Sequence, residues 1–218
     1  AELRLLDDGE YAVVGTIEIF EEGDRIAIRG GRELRAEVVA DGCAMVTFDK
    51  SYRDHEDQRL IGELGTLFGT VPRESIMRAT EPLSILTISA SLTSLSPSIG
   101  LFARLDDDAP SALRTTLHAL MRRRREAGIE HLLVFQFTAH GARRPVLVQV
   151  IFTEPTDEAI GEFLDRGAPK LRAGMPRMLG LNPLLSRAVY TFADGSPQFM
   201  FGVASNGVPL PPSALRGM

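Results

Sequence analysis

The densest group of side chains that could do chemistry is a short polar stretch around His140. His140 is followed by Gly141, and Arg143 and Arg144 come two residues later. A loop of this kind can direct an imidazole and two guanidinium groups at one carboxylate or phosphate, and glycine lets the backbone approach the anion closely. The same residues also fit a solvated turn between two strands. We therefore predict His140, Gly141, Arg143 and Arg144 as a candidate site for a small anionic ligand, with a plain turn as the alternative.

The other histidines do not form a metal-binding pattern. His131 lies in an apolar stretch, which is typical of a buried core or rim histidine. His55 and His118 have no second histidine at a spacing that zinc sites use. The run from Asp106 to Asp108 precedes an amphipathic stretch, where acidic side chains stabilise a helix N-terminus, and it lacks the spacing of a calcium loop. The sequence thus predicts no metal and no cofactor.

The candidate cysteine and serine nucleophiles lack the neighbouring base or sequence motif that would activate them. Cys43 is the single cysteine, so an intrachain disulfide and a four-cysteine zinc site are excluded. It has no neighbouring base in the sequence, which an activated thiol requires. The serines of 89–98 lack a GxSxG elbow, and neither a P-loop nor a GxGxxG pattern occurs. Catalytic residues therefore stay unassigned, and the sequence leaves open whether the protein is an enzyme.

Arg122 to Arg125 form the one dense charge run. Cations at a helix C-terminus are stabilised by the helix dipole, and a run of arginines can also bind an acidic partner or a phosphate backbone. The net charge of −5 and the absence of aromatic residues within the run argue against a nucleic acid partner. We interpret the run as structural.

Composition places the chain among ordinary globular proteins. Of its 218 residues, 44% are apolar and 24% are charged. No apolar segment reaches the roughly 20 residues that span a bilayer, and the opening AELRLLDDGE lacks the basic and apolar regions of a signal peptide. These features exclude disordered, collagen-like and disulfide-rich classes, and they favour a cytoplasmic protein without a membrane span.

Two structural parts are predicted from the pattern of elements, with a boundary near residue 80. Residues 1–80 carry 10 basic and 17 acidic side chains, whereas residues 81–218 carry 14 and 12. The first part reads as an antiparallel β meander followed by helices. Its predicted elements are strands at 11–20, 25–29, 32–40 and 43–48, a hairpin turn at Asp41-Gly42, a helix over 54–68 and a short helix over 72–79.

The second part, residues 81–218, is predicted as an α+β sandwich. From residue 99 its order is strand, helix, strand, strand, helix, strand, which is the βαββαβ order of ferredoxin-like folds. An order counted from residue 72 is closer to small α+β dimers of secretion-chaperone type. The predicted elements are strands at 85–94 and 99–105, a helix over 109–127, a hairpin of 129–138 with 145–153, a helix over 157–166 ended by Gly167, a hairpin of 188–193 with 198–204, and an extended proline-rich end over 207–218.

Alternation along 129–153 gives the predicted sheet two different faces. One face is apolar and includes Phe135 and Val148, so it is expected to carry the helices. The other face is too apolar to be fully solvated and too polar for a dry core. Its cover could be the N-terminal part, a second subunit or a ligand in a cavity. We predict an interface on this face formed by Leu132, Val134, Gln136, Leu147, Gln149 and Ile151.

No motif fixes a reaction, so the function is inferred from these surfaces. The leading hypothesis is a non-catalytic binding or regulatory protein that acts through a protein partner or as a homodimer. The alternative is a small-molecule sensor or a small enzyme with a cavity over the second face of the sheet. The two hypotheses differ in whether convergent polar groups line a pocket there.

Overall fold

The structure is a computed structural model that describes residues 2–5, 11–20, 24–28, 39–40, 43–75, 84–91, 109–140, 145–181 and 183–210. Within these ranges two sheets and several helices are formed. The strands are β1 Glu2–Leu5, β2 Tyr11–Phe20, β3 Asp24–Ile28, β4 Ala44–Asp49, β5 Arg73–Ser75, β6 Ser84–Ser91, β7 His131–His140, β8 Pro145–Thr153, β9 Leu185–Ala193, β10 Ser196–Ala204 and β11 Pro209–Leu210. The helices are α1 His55–Leu67, α2 Ala109–Glu126, α3 Asp157–Glu162 and α4 Ala168–Leu181, with a π-helical turn at Phe163–Gly167 between the last two.

An eight-stranded mixed sheet holds strands β4 to β11 in the order β11-β10-β9-β8-β7-β6-β4-β5. β6 and β7 are parallel neighbours connected through α2, and β8 and β9 are parallel neighbours connected through α3 and α4. The protein is therefore an α+β protein, and its sheet is larger than a single βαββαβ unit. The strand predicted at 99–105, on which the ferredoxin-like order depends, lies outside the described residues.

The N-terminal strands form a separate three-stranded sheet in the order β1-β2-β3. The prediction of strands at 11–20 and 25–29 is confirmed, with β3 shifted by one residue. Of the strand predicted at 32–40, only residues 39–40 are described, and they are not in a strand. The Cys43 N–H donates to the Ala40 carbonyl at 3.0 Å, which is the backbone bond of a tight turn into β4.

Elements β4, α1 and β5 belong to the same eight-stranded sheet region as the strands that follow residue 80. β4 pairs antiparallel with β6 and parallel with β5. The short helix predicted at 72–79 is wrong at 73–75, because these residues extend the sheet edge as β5; residues 76–83 lie outside the described part. Helix α1 is confirmed, and the Asp54 side chain caps it by accepting the Glu56 N–H at 2.9 Å.

One hydrophobic core joins all four helices to one face of the large sheet. Helix α2 fills its centre, as its predicted apolar stripe requires: Leu113, Leu117, Leu120 and Met121 are all fully buried. The alternation predicted for the β7–β8 hairpin is confirmed on this face. The strand residues in the core include Leu133, Phe135, Phe137, Val146, Val148, Val150 and Phe152.

The hairpin between β9 and β10 closes through the two residues Asp194 and Gly195. Their φ angles are 51° and 68°, the left-handed values that a two-residue turn of the type favoured in hairpins needs at both positions. The hairpin predicted from 188–193 and 198–204 is confirmed, with a shorter turn than predicted because β10 begins at Ser196. Residues 185–187 extend β9 beyond the predicted start at 188.

Gly167 does not end a helix, contrary to the prediction. It closes the π-helical turn, and the chain continues as α4 to Leu181. A Cβ atom on Gly167 would lie 2.7 Å from a ring carbon of Phe163 and 2.8 Å from one of Phe192. The glycine is thus required by close packing against two aromatic rings, and that requirement is not visible in local sequence.

We expect Gly167→Ala to lower the free energy of unfolding by about 1–3 kcal/mol, because the methyl group overpacks a site that already lacks room. Gly174→Ala is the matched control. Gly174 lies in α4, and a Cβ atom there would meet nothing within 4 Å beyond its own stretch of helix, so alanine should raise stability through helix propensity. Urea denaturation followed by circular dichroism measures both changes. Equal effects of the two substitutions would contradict the packing argument.

Candidate functional site

The second face of the eight-stranded sheet, opposite the helices, carries the residues that alternate with the core. Strand register aligns them in rows across the sheet. All six residues predicted as an interface lie on this face. One row is Thr47, Thr87, Val134, Ile151 and Thr191, and the next row is Met45, Ser89, Gln136, Gln149 and Val189.

Burial on the second face is greatest along β7. Leu132, Val134 and Gln136 are 7%, 8% and 3% exposed. The three predicted interface residues on β8, Leu147, Gln149 and Ile151, are half-buried. The Val39 N–H donates to Thr138 Oγ1 at 3.0 Å, and both residues are buried. These values refer to one chain, so the atoms that cover the β7 side chains belong to this chain. The β7 side chains of the predicted interface are thus mostly covered within the single chain.

A ladder of polar side chains crosses the middle of the second face. Gln149 Nε2 donates to Gln136 Oε1 at 2.9 Å, and Gln136 Nε2 donates to Ser89 Oγ at 3.3 Å. Amide and hydroxyl groups can orient a ligand by hydrogen bonds, but they do not exchange protons near neutral pH. The ladder is thus suited to recognition and not to acid–base catalysis.

The half-buried side of the second face, on strands β8, β9 and β10, is the part that a partner can reach. We call it the β8–β10 flank. Apolar side chains, amides and one aromatic ring make up most of it, and Arg187 is its one charged member. The flank consists of Leu147, Gln149, Ile151, Arg187, Thr191, Gln198, Phe201 and Val203.

Arg187 has an unusual setting for a sheet arginine. It pairs in register with Leu147 of β8 and with Val203 of β10, so both direct neighbours are apolar. Burial lowers the pKa of its guanidinium, and no nearby acid opposes that effect. In the part of the chain that the structure describes, the guanidinium has neither an ion-pair partner nor a hydrogen-bond acceptor. Among the described residues, Arg187 therefore presents a partly desolvated cation without a charged partner on the flank.

The predicted anion site at the β7–β8 turn is only partly within the described residues. The backbone of His140 ends β7 and pairs with Pro145. Gly141, Arg143 and Arg144 lie outside the described residues, so the proposed grouping of His140 with the two arginines stays a prediction.

A second concentration of polar side chains lies where the end of α2 meets the start of α1. Arg124 forms an ion pair with Asp57, and the two side chains are only 3% and 5% exposed. Arg123 Nε donates to Asp57 Oδ1 at 2.8 Å, and Arg123 also pairs with Asp54. The Arg124 guanidinium lies 4.0 Å from the ring centroid of the fully buried Tyr52. We call these five residues the α1–α2 polar cluster; its charges are paired internally, so it stabilises the contact between two helices.

The arginine run is structural, and the helix dipole is only part of the reason. Arg123 and Arg124 bind the polar cluster, and Arg125 binds Asp157 at 2.8 Å and the carbonyl of Pro155, which joins α2 to the start of α3. Arg122 is exposed. Specific pairing with acids distant in sequence, which the run itself does not reveal, accounts for three of the four arginines.

His131 is a buried histidine at the start of β7, as predicted. It is 1% exposed, and its Nδ1 lies 3.0 Å from the carbonyl oxygen of Ile129. Burial lowers the pKa of His131, although the Ile129 carbonyl and the Glu154 carboxylate act in the opposite direction. The ring is thus neutral at neutral pH, with the proton on Nδ1 so that it can donate to the carbonyl.

Acid should destabilise the protein in part through His131. Its folded-state pKa is below the unfolded value of about 6.5, so the unfolded state binds more protons and stability falls as pH drops below about 6.5. His131→Gln should flatten the dependence of unfolding free energy on pH between about 7 and 5. Thr115→Gln, at an exposed position of α2, is the control: it changes no titratable group and should keep the wild-type slope. Urea melts at several pH values measure both, and identical slopes for wild type and His131→Gln would contradict the assignment.

The described residues hold their buried acidic groups in structural contacts. Their two buried carboxylates are both engaged: Asp57 in the polar cluster, and Asp49 by the backbone N–H groups of Ser51 and Ile85 at 2.8 and 2.6 Å. No group of three metal-binding side chains comes together within these ranges. Cys43 is exposed. Across the same residues, no helix combines the length and the apolar character that crossing a membrane requires.

The six residues predicted as an interface share one face of the sheet, but their role as an interface stays a prediction, and sequence reasoning did not include Arg187 on that face. Arg187 precedes the segment predicted as strand 188–193, so alternation could not assign it to a face. Comparisons with protein-family models, with curated proteins and with solved structures found no match to this chain. The function is therefore argued from the second face itself.

Proposed function

We propose that the protein is a non-catalytic binding protein that recognises a protein partner through the β8–β10 flank. The observation that carries the proposal is the half-buried flank itself, on which Arg187 has no internal partner among the described residues. Interface cores combine apolar and aromatic side chains with arginine and contain few other charges. The flank has this composition, with Phe201 and Arg187 beside Leu147, Ile151 and Val203.

A different protein fits the flank better than a second copy of this chain. In a two-fold dimer the same patch meets itself, so each residue of the flank would face residues of the same set. The flank has no acidic residue, and two copies would therefore bring two arginines together without a counter-charge. The homodimer considered from sequence is for this reason the less favoured arrangement, and a partner with an acidic surface is preferred.

The experiment compares the same substitution on and off the flank. Thr191→Glu adds a long anion to the flank, and Thr115→Glu adds it to an exposed position of α2. Proteins retained from a source-cell lysate by the wild-type chain are identified by mass spectrometry, and the best candidate is purified for calorimetric titration. We expect Thr191→Glu to weaken its binding more than tenfold, because the new carboxylate repels an acidic partner surface, and Thr115→Glu to leave the affinity unchanged.

Two results would overturn the proposal. One is a purified partner whose affinity is the same for wild type and Thr191→Glu. The other is a partner that Thr115→Glu weakens as strongly as Thr191→Glu does, because the effect would then follow from added charge and not from the surface.

A further inference from the structure

The guanidinium of Arg187 is the one charge on the β8–β10 flank, and the atoms around it define what it can bind. We infer that Arg187 is the anchor for an acidic side chain of the protein partner, held between Leu147 and Val203. This inference rests on the proposed function, which supplies the partner, and it adds the chemistry by which that partner is recognised.

Geometry supports an acidic group with apolar neighbours. Leu147, Arg187 and Val203 form one row across three adjacent strands, so Arg187 has a branched apolar residue beside it on each neighbouring strand. A guanidinium presents parallel N–H groups that match the two oxygens of a carboxylate. A partner residue such as glutamate, flanked by apolar residues, would place its carboxylate on Arg187 and its neighbours on Leu147 and Val203.

Desolvation favours pairing at this position over pairing at an exposed arginine. Arg187 already lies half-buried with no counter-charge from the described residues, and burial destabilises its charged form. A carboxylate that docks there meets a cation whose water has been removed in part, and the attraction between the charges is screened less than at the surface. Exposed pairs such as Arg59 with Glu56 and Glu63 do not have this property.

Gln149 adds a hydrogen-bonding group on the same side. Its Nε2 is engaged by Gln136, and its position two residues along β8 from Leu147 makes it a diagonal neighbour of Arg187. From the strand rise and spacing, the two Cα atoms are about 8 Å apart, within reach of both long side chains. The side-chain oxygen Oε1 of Gln149 can therefore accept a hydrogen bond from a backbone N–H of the same partner segment.

The test titrates two synthetic pentapeptides onto the full chain. Both are acetylated and amidated with threonine at each end and valine at positions two and four; one has glutamate in the centre and the other glutamine. The Nε–Hε resonance of Arg187 is the readout, assigned by its loss in Arg187→Gln. We expect the glutamate peptide to shift this resonance saturably at millimolar concentration, and the glutamine peptide to bind at least tenfold more weakly.

Arg187→Gln is expected to fold, because it removes an unpaired charge, and to abolish the difference between the peptides as followed by neighbouring backbone amides of β8. Equal binding of the two peptides overturns the inference, as does a difference that persists in Arg187→Gln or a lack of saturable shift up to about 10 mM peptide. Tighter binding of inorganic phosphate than of the glutamate peptide also overturns it and assigns the position to a phosphate.

Failure of the inference is distinguishable from failure of the proposed function. If binding of a purified partner is weakened by Thr191→Glu but not by Arg187→Gln, the flank is the interface and Arg187 is not its anchor. If neither substitution weakens the partner, the flank itself is excluded.

Discussion

Replacing Asp57 by asparagine is expected to lower the free energy of unfolding by about 3–5 kcal/mol. The substitution keeps the size of the side chain but removes the charge that balances Arg124, which is 3% exposed in contact with Tyr52. A buried guanidinium without a counter-charge loses its hydration and receives no Coulomb attraction in return. Asp57 also accepts from Arg123 through its other oxygen, and asparagine keeps only one oxygen, so one of the two arginines loses its acceptor and meets an N–H donor instead. Urea denaturation followed by circular dichroism measures the change.

The control is an ion pair on the same helix that is exposed to solvent. Arg59 pairs with Glu63 across one turn of α1, and both side chains are close to half exposed. Glu63→Gln should leave the urea midpoint unchanged, because solvent screens the pair.

A second comparison tests whether the cost comes from the unpaired charge. Asp57→Leu combined with Arg124→Met removes both charges and should recover much of the stability that Asp57→Asn loses. A double variant less stable than Asp57→Asn would contradict this explanation, as would a loss below about 1 kcal/mol in Asp57→Asn.

Elements whose signals are local were predictable from sequence. The Asp194-Gly195 pair satisfies the backbone needs of a hairpin turn by residue type alone. The four leucine and methionine residues of α2 repeat at helical spacing, and the alternation of β7 and β8 marks the core face of the sheet. In each case the residues that decide the structure lie close to each other in sequence.

Features that depend on distant contacts were not predictable. Asp57 and Arg124 are 67 residues apart, and neither their residue types nor their spacing predicts that they form a buried ion pair. Helix α4 contains Pro176 and two glycines, which read locally as loop residues, yet its packing against the core maintains the helix. The same limit applies to Arg187, whose importance arises from apolar neighbours on two other strands.

The second prediction with a large effect concerns Val134, at the centre of the covered part of the second face. Val134→Asp is expected to lower the free energy of unfolding by about 3 kcal/mol or more, because the residue is 8% exposed and the new carboxylate would be buried without a counter-charge from its apolar and amide neighbours. Ile151→Asp is the matched comparison. Ile151 is directly opposite Val134 in the β7–β8 register but half-buried, so its carboxylate keeps contact with water and the loss should be clearly smaller.

Light scattering on the same two variants distinguishes burial of Val134 by its own chain from burial by a second copy of the chain. The atoms that bury Val134 belong to its own chain, so Val134→Asp should change stability and leave the molar mass of the wild-type protein unchanged. A variant that keeps wild-type stability but halves the molar mass would show instead that a second subunit covers β7. Thermal melts at several protein concentrations, combined with static light scattering, decide between the two, since a dimer interface makes the melting temperature depend on concentration and an internal cover does not.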